Sequence, residues 1–196
     1  MRRYLIALFI IAGCVALAFY ALALRPVAPM ASACTSSDIL GGSFSLIDQD
    51  GQHVTNDTYK GKYRLVVFGF TFCPDICPLQ LANASAALDK LDRKMDRIKP
   101  IFISLDPARD TPNVIKDYLK TYPLFTGLTG SEDEIAAVAK SYKIFYEKVP
   151  NKEMPDAYTI DHSVRIFLMD PDGKFVEMYD NPSVGLLAAK IDACVN

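Results

Sequence analysis

Leu65-Val66-Val67-Phe68-Gly69-Phe70-Thr71-Phe72-Cys73-Pro74-Asp75-Ile76-Cys77-Pro78-Leu79 changes character halfway along. From Leu65 to Phe70 it is apolar, β-branched and aromatic without alternation, as expected of a strand buried on both faces of a parallel sheet. A polar turn with two cysteines follows. Pro78 suits the first turn of a helix, where its missing N–H costs nothing. Cys73 and Cys77 therefore fall in the loop and first turn at a helix N-terminus, just past the carboxyl end of a buried strand. Open α/β sheets place their sites at such ends. The positive end of the helix dipole favours thiolate, the form that acts as nucleophile and as metal ligand. Two thiols so placed can form a disulfide or share a soft metal ion. The bland alternative is a purely structural pair, and the prolines that bracket the cysteines at a strand-to-helix junction weigh against it.

Beyond this turn, Leu81, Ala84, Leu88, Leu91 and Met95 recur at spacings of three and four, predicting one apolar helical face. Ile98 to Leu105 reads as a second buried strand, followed by Asp106-Pro107 and then Arg109, Asp110, Thr111 and Pro112. Arg109 and Asp110 could serve a site, but nothing in their chemistry forces that, and they read first as an ion pair bracing this loop; Asn113 reads as the cap of a helix running to about Thr121. Leu128 and Thr129 suggest a short strand. Ser131 with Glu134 forms a capping box that opens a helix whose apolar face carries Ile135, Val138 and Ala139. Ile144 to Val149 is a short strand, and Pro150 to Tyr158 is a polar loop placed to act as a flap near a site. Ser163 to Met169 and Lys174 to Tyr179 should pair across the turn Asp170-Pro171-Asp172-Gly173, before a terminal helix within Pro182 to Val195. Upstream, Phe44 to Ile47 and His53 to Thr55 flank a turn as a hairpin, with His53 facing solvent. This order is the thioredoxin pattern: an α/β fold with an N-terminal β-hairpin extension and an extra strand and helix ahead of the final hairpin.

The 196 residues, 51% of them apolar, suit one domain with a short appendage. A formal charge of -2 without a Lys/Arg cluster gives nucleic-acid binding no support. Arg2 and Arg3 precede an uncharged apolar stretch from Tyr4 to Leu24, which as a helix would span about 30 Å, the thickness of a bilayer core. The expected organisation is a single transmembrane anchor over 1–24, a linker over 25–37 and a folded domain over 38–196. Arg2 and Arg3 favour a cytoplasmic N-terminus, although Arg25 weakens the bias. The domain would then face the periplasm, or an equivalent intermembrane space, from the inner membrane. Ala31-Ser32-Ala33 resembles a cleavage site, and Ile11-Ala12-Gly13-Cys14 a lipoprotein box with Cys14 as the lipidated residue; the length of the apolar stretch favours an uncleaved anchor. An oxidising compartment would allow Cys34 and Cys194 to pair, a point the sequence leaves open.

Three motifs occur in order: Cys73-Pro74-Asp75-Ile76-Cys77-Pro78 after the buried strand, the Asp106 to Pro112 loop, and Asp161-His162 followed by Phe167 to Gly173. Together they resemble the Sco (SenC) family of copper-delivery proteins, from about Phe44 to the C-terminus. The resemblance implies a thioredoxin-like fold and a copper site on Cys73, Cys77 and His162. By itself a lone histidine before an apolar strand is more often structural. In thioredoxin-like proteins, however, the turn before this strand faces the cysteine loop, where oxidoreductases commonly carry a proline and this chain has Asp161-His162-Ser163.

Two thiolates and an imidazole are soft enough for Cu(I), and can hold Cu(II) with an added ligand. Asp161 is expected to orient the His162 ring as an acceptor behind it, and Asp75 to face solvent and meet a partner. The resemblance further implies a membrane-tethered copper chaperone that delivers copper to the CuA domain of cytochrome c oxidase subunit II. Such a protein requires an upstream copper donor and a thiol-disulfide reductant, since a Cys73–Cys77 disulfide would exclude the metal. The alternative is a thiol-disulfide oxidoreductase that reduces acceptor cysteines, with Cys73 as nucleophile and Cys77 as resolving thiol. Its spacing departs from the C-x-x-C of thioredoxins, and it leaves His162 without a role. The reading therefore favours a metal carrier over an enzyme.

Overall fold

The computed structural model describes residues 34–150 and 157–195. The expected anchor and Cys14 lie outside the described residues, among which no helix is long and apolar enough to cross a membrane.

Strand β1 (Ser45–Asp48) pairs antiparallel with β2 (His53–Thr55), forming the expected hairpin with His53 exposed. The decisive stretch becomes β3 (Tyr63–Gly69), buried at every residue. It pairs parallel with β4 (Ile98–Ser104), which pairs parallel with β5 (Thr126–Thr129). Two-stranded β6 (Tyr146–Pro150) and β7 (Tyr158–His162) form a separate antiparallel ribbon. The last hairpin, β8 (Arg165–Met169) and β9 (Phe175–Asp180), lies against the other edge of β3. The main sheet has the order β2-β1-β5-β4-β3-β8-β9. This is the thioredoxin-like arrangement, with the β1–β2 hairpin added.

Because successive side chains of a strand point to opposite faces, β3 explains its own lack of alternation. Leu65 and Val67 enter one core with Phe102, Leu81, Leu88 and Ile191, while Val66 and Phe68 enter another with Ile101, Ile135, Val138 and Phe167. Helices α1 (Ile76–Leu88) and α4 (Val184–Cys194) cover the first face together with α2 (Pro112–Tyr118); α3 (Glu132–Ser141) covers the second.

Several local details differ from expectation. Helix α1 stops at Leu88, and residues Asp89–Arg97 continue as tight turns broken at Asp92, whose φ is 47°. That segment alternates acids and bases around Leu91 and Met95, too little apolar surface to hold a straight helix on the core. Leu91 is nevertheless buried and Met95 packs at its edge. The cap of α2 is Thr111, whose Oγ1 accepts from the Val114 N–H, with Pro112 in the first turn; it is not Asn113. The Ser131–Glu134 capping box forms as read, with Ser131 N–H donating to Glu134 Oε2 at 2.7 Å.

Of the flap expected over Pro150 to Tyr158, residues 151–156 lie outside the described residues, and its two end residues belong to strands, Pro150 to β6 and Tyr158 to β7. From Tyr158 to His162 the chain is strand, with Ile160 and His162 buried and Thr159 and Asp161 exposed, the two-residue alternation of a half-buried edge. At the N-terminal side, Cys34 is joined to Cys194 by a disulfide with Cα atoms 5.4 Å apart. Ser37 exchanges backbone hydrogen bonds of 2.8 and 2.9 Å with Phe175. Residues 34–37, expected in the linker, are thus tied to the domain.

Candidate metal centre

The carboxyl end of β3 carries the cysteine loop. Gly69 is required there: a Cβ at this position would lie 2.9 Å from Cys77 Sγ and 3.0 Å from Phe102. Only hydrogen on that carbon lets the first turn of α1 rest against the strand. One residue beyond Phe70, the loop is clamped from behind by Asp110, a wholly buried carboxylate. Asp110 accepts the Thr71 N–H at 2.9 Å, the Thr71 hydroxyl at 2.5 Å and the Ser104 hydroxyl at 2.5 Å. Burial pushes its carboxyl above the ordinary value, and these three donors oppose that shift.

The expected Arg109–Asp110 pair is therefore replaced. Arg109 Nε pairs with Asp106, which is itself fully buried. The Arg109 guanidinium lies 3.7 Å from the centroid of the Tyr158 ring and 4.9 Å from that of Phe72, and Nη1 donates to the Tyr158 carbonyl at 2.9 Å. The Tyr158 hydroxyl donates in turn to Asp106 Oδ1 at 2.7 Å. Neither Tyr158 nor Thr71 stood out in the sequence. The alternation over 158–162 was the available signal for the first; a threonine before a cysteine turn gives none.

Cys73 is 8% exposed, Cys77 0% and His162 9%, and the two cysteines form a small apolar cluster with Phe70 and Ile160. The Cys77 N–H donates to Cys73 Sγ at 3.3 Å, and Cys77 Sγ lies 3.4 Å from His162 Nε2. The Phe70 ring meets the imidazole edge-on at 6.0 Å between centroids. His162 Nδ1 is 3.0 Å from the Ser163 carbonyl oxygen. A carbonyl can only accept, so Nδ1 carries the proton and Nε2 is the ring nitrogen turned toward the sulfurs. This corrects the expectation for Asp161. As the strand neighbour of His162, its side chain points to the opposite, exposed face, and the backbone of Ser163 orients the ring. Asp75, between the cysteines, is exposed as expected.

The two thiols are electrostatically unlike. Cys73 is pulled down from 9.0 to about 4, first by the hydrogen bond from the Cys77 thiol and further by His162 and the backbone N–H groups of the helix start, against the opposing effect of burial. Cys77 is driven strongly upward by its hydrogen bond to Cys73 and by burial. One sulfur is thus held as thiolate while the other keeps its proton.

The donor atoms of Cys73, Cys77 and His162 all lie within 4.8 Å of one another. Two sulfurs and an sp² nitrogen, nearly dry and pre-gathered, fit a soft monovalent cation or a borderline divalent one. An open groove lined by Cys73, Pro74, Ile76, Ile160 and Val164 gives access to them. The broader cleft between α3 and β6, lined by Glu132, Asp133, Tyr146 and Lys148, contains neither thiol nor imidazole.

A family model described as SCO1/SenC matches residues 32–196. The protein sco1 of Schizosaccharomyces pombe is 46% identical over 147 residues, covering 74% of this chain and 56% of its own length. The chain thus spans about half the length of the first curated relatives it matches. Among solved structures, Arabidopsis thaliana ScoI with copper bound superposes with a TM-score of 0.73 at 42% identity, covering 78% of this chain and 96% of that one. BsSco, described with a disulfide switch and as a member of the Sco family of cytochrome c oxidase assembly proteins, gives a TM-score of 0.66 at 25% identity over 82% of this chain and 96% of that one.

Proposed function

The chain belongs to the SCO1/SenC family, and from that membership we propose that it is a copper carrier for cytochrome c oxidase assembly, binding the ion through Cys73, Cys77 and His162 and handing it to the CuA site of subunit II. The observation that carries this reading is the convergence of two sulfurs and an imidazole nitrogen within 4.8 Å, beside an open groove that Cys73 and His162 line. The copper-bound Arabidopsis relative supports the choice of metal, and the oxidase-assembly description of BsSco supports the pathway.

Each residue has a distinct part. The Cys73 thiolate is ready to meet an incoming ion without losing a proton. Cys77, behind it, gives up its proton on ligation, so loading releases acid. The His162 ring, fixed by Ser163, supplies Nε2. Delivery proceeds by ligand exchange with acceptor thiols entering the groove. Cu(I) is the preferred cargo for this donor set, with Cu(II) held when a further ligand is added. Loading requires an upstream donor and a thiol-disulfide reductant that keeps both cysteines reduced. The apolar stretch at 4–24 anchors the domain to the inner membrane, facing the periplasm or an equivalent space.

The test is an anaerobic Cu(I) titration of the reduced full-length chain in detergent against a competing chelator, beside His162→Ala. Tight one-to-one binding that weakens in the variant is expected. Failure of both proteins to outcompete the chelator overturns the copper reading.

One observation favours a second activity: a thiolate at Cys73 with a protonated thiol behind it is also the arrangement of a dithiol reductant. In that reading Cys73 attacks an acceptor disulfide and Cys77 resolves the mixed disulfide. Trapping of a disulfide-bonded acceptor peptide by Cys77→Ser, and not by Cys73→Ser, is the expected signature.

A further inference from the structure

The three proposed ligands come from two bodies that the main sheet does not join directly. Cys73 lies in the loop between β3 and α1 and Cys77 in the first turn of α1, whereas His162 ends the β6–β7 ribbon, a separate two-stranded sheet. Ser163 fastens the root of the ribbon, its N–H donating to the Phe145 carbonyl at 2.9 Å and its hydroxyl accepting from the Phe145 N–H at 3.2 Å. Further out, Lys148 pairs with Glu132 at 2.9 Å, but both side chains are well exposed. At the site itself Ile160 packs with Phe70 and the cysteines, and the Phe70 ring meets that of His162. A further tie is of another kind. Arg109 lies between an aromatic ring of each body: Phe72, the residue before Cys73, and Tyr158, on the same strand face as Ile160 and His162. Its ion-pair partner Asp106 is fully buried and also receives the Tyr158 hydroxyl, so the contact is directional as well as stacked.

We propose that Arg109 is the positioning residue of the metal site: with Asp106 and Tyr158 it presses the inner face of the ribbon onto the cysteine loop, and so decides whether copper meets His162 as well as the two sulfurs. The proposal rests on the copper reading above for its consequence, but its mechanical part concerns the metal-free protein. Asp106, Arg109 and Asp110 belong to one loop. That loop therefore grips both bodies, the cysteine side through Asp110 and Thr71 and the histidine side through Arg109 and Tyr158.

Two measurements on the full-length chain test this. In metal-free protein, Arg109→Ala is expected to raise hydrogen exchange of the Tyr158 to His162 amides by about tenfold while β3 stays protected. Unchanged exchange in the ribbon overturns the proposal whatever the metal does. In Cu(I) competition, Arg109→Ala is expected to weaken binding about tenfold, the scale found for groups that orient metal ligands. In the His162→Ala background the same substitution should change binding by less than about twofold, because a residue acting through His162 has nothing left to position. Equal weakening in both backgrounds overturns the proposal and makes Arg109 a general support of the fold. Wild-type copper binding indifferent to His162 refutes the three-ligand site and, with it, the consequence proposed for Arg109, while the exchange result separately decides the mechanical part. Tyr158→Phe keeps the ring and removes only its bond to Asp106; it should move both readouts the same way by about twofold, and serves as the test if Arg109→Ala does not fold.

Discussion

The cysteine half of the site and the histidine half are built by different means. Cys73 and Cys77 are presented by a strand with neighbours on both sides and by a helix start, with a buried carboxylate tying the intervening loop. His162 is presented by a two-stranded ribbon fastened at its root and along one flank. A three-stranded pairing with full burial opens only with the whole domain, whereas an edge ribbon can open on its own at lower cost. The contrast suits the proposed carrier: two cysteines that stay put would retain the ion, and a histidine that can be withdrawn would let it leave.

The largest expected effect sharpens the contrast from within the cysteine half. With its pKa near 4, Cys73 stays thiolate as pH falls until that value is approached. Alkylation of metal-free protein at Cys73 should therefore be nearly flat from about pH 5 to 8, where an ordinary thiol would climb about a thousandfold, and Cys77 should stay unmodified. A tenfold rise per pH unit at Cys73 would break the assignment of unlike sulfurs.

Next comes the clamp. Asp110→Ala leaves two hydroxyls and a backbone N–H without their acceptor in a buried place, and should cost about 3 kcal/mol in urea unfolding. A loss under about 1 kcal/mol would show that the cysteine loop is held by something else. Gly69→Ala forces a methyl against Cys77 Sγ and Phe102, an overpacking worth about 2 kcal/mol, and should disturb thiol reactivity along with stability. Unfolding midpoints equal to wild type would mean that the first turn of α1 shifts freely. The histidine half should respond far less: Lys148→Ala, which removes an exposed pair with Glu132, is expected to change global stability by less than about 0.5 kcal/mol, and by less still in high salt. An effect as large as that of Asp110→Ala would erase the distinction between the halves.

How much of this was legible beforehand follows the same division. The buried strand, the cysteine turn, the capping box at Ser131 and the final hairpin are local patterns, and each appears where its residues place it. His162 stood out through its place in the fold and through the Sco resemblance, which the family match supports. The end of α1 at Leu88 was hidden because the apolar spacing ran on through Leu91 and Met95 after the helical backbone had stopped. The acceptor behind His162 is a main-chain carbonyl, and every residue has one, so Asp161 was the more visible and mistaken choice. The Asp106–Arg109–Tyr158 contact joins residues 49 and 52 positions apart, and no spacing rule reaches that far.

The bond between Cys34 and Cys194 spans 160 positions and leaves almost nothing of the folded domain outside it. Covalently, the domain is a ring. A single backbone cut anywhere between those residues, the 151–156 segment included, leaves one molecule of unchanged mass apart from the added water, and its two pieces separate only when that bond is reduced. The domain can therefore be nicked and remain joined, and its integrity must be read on a reducing gel.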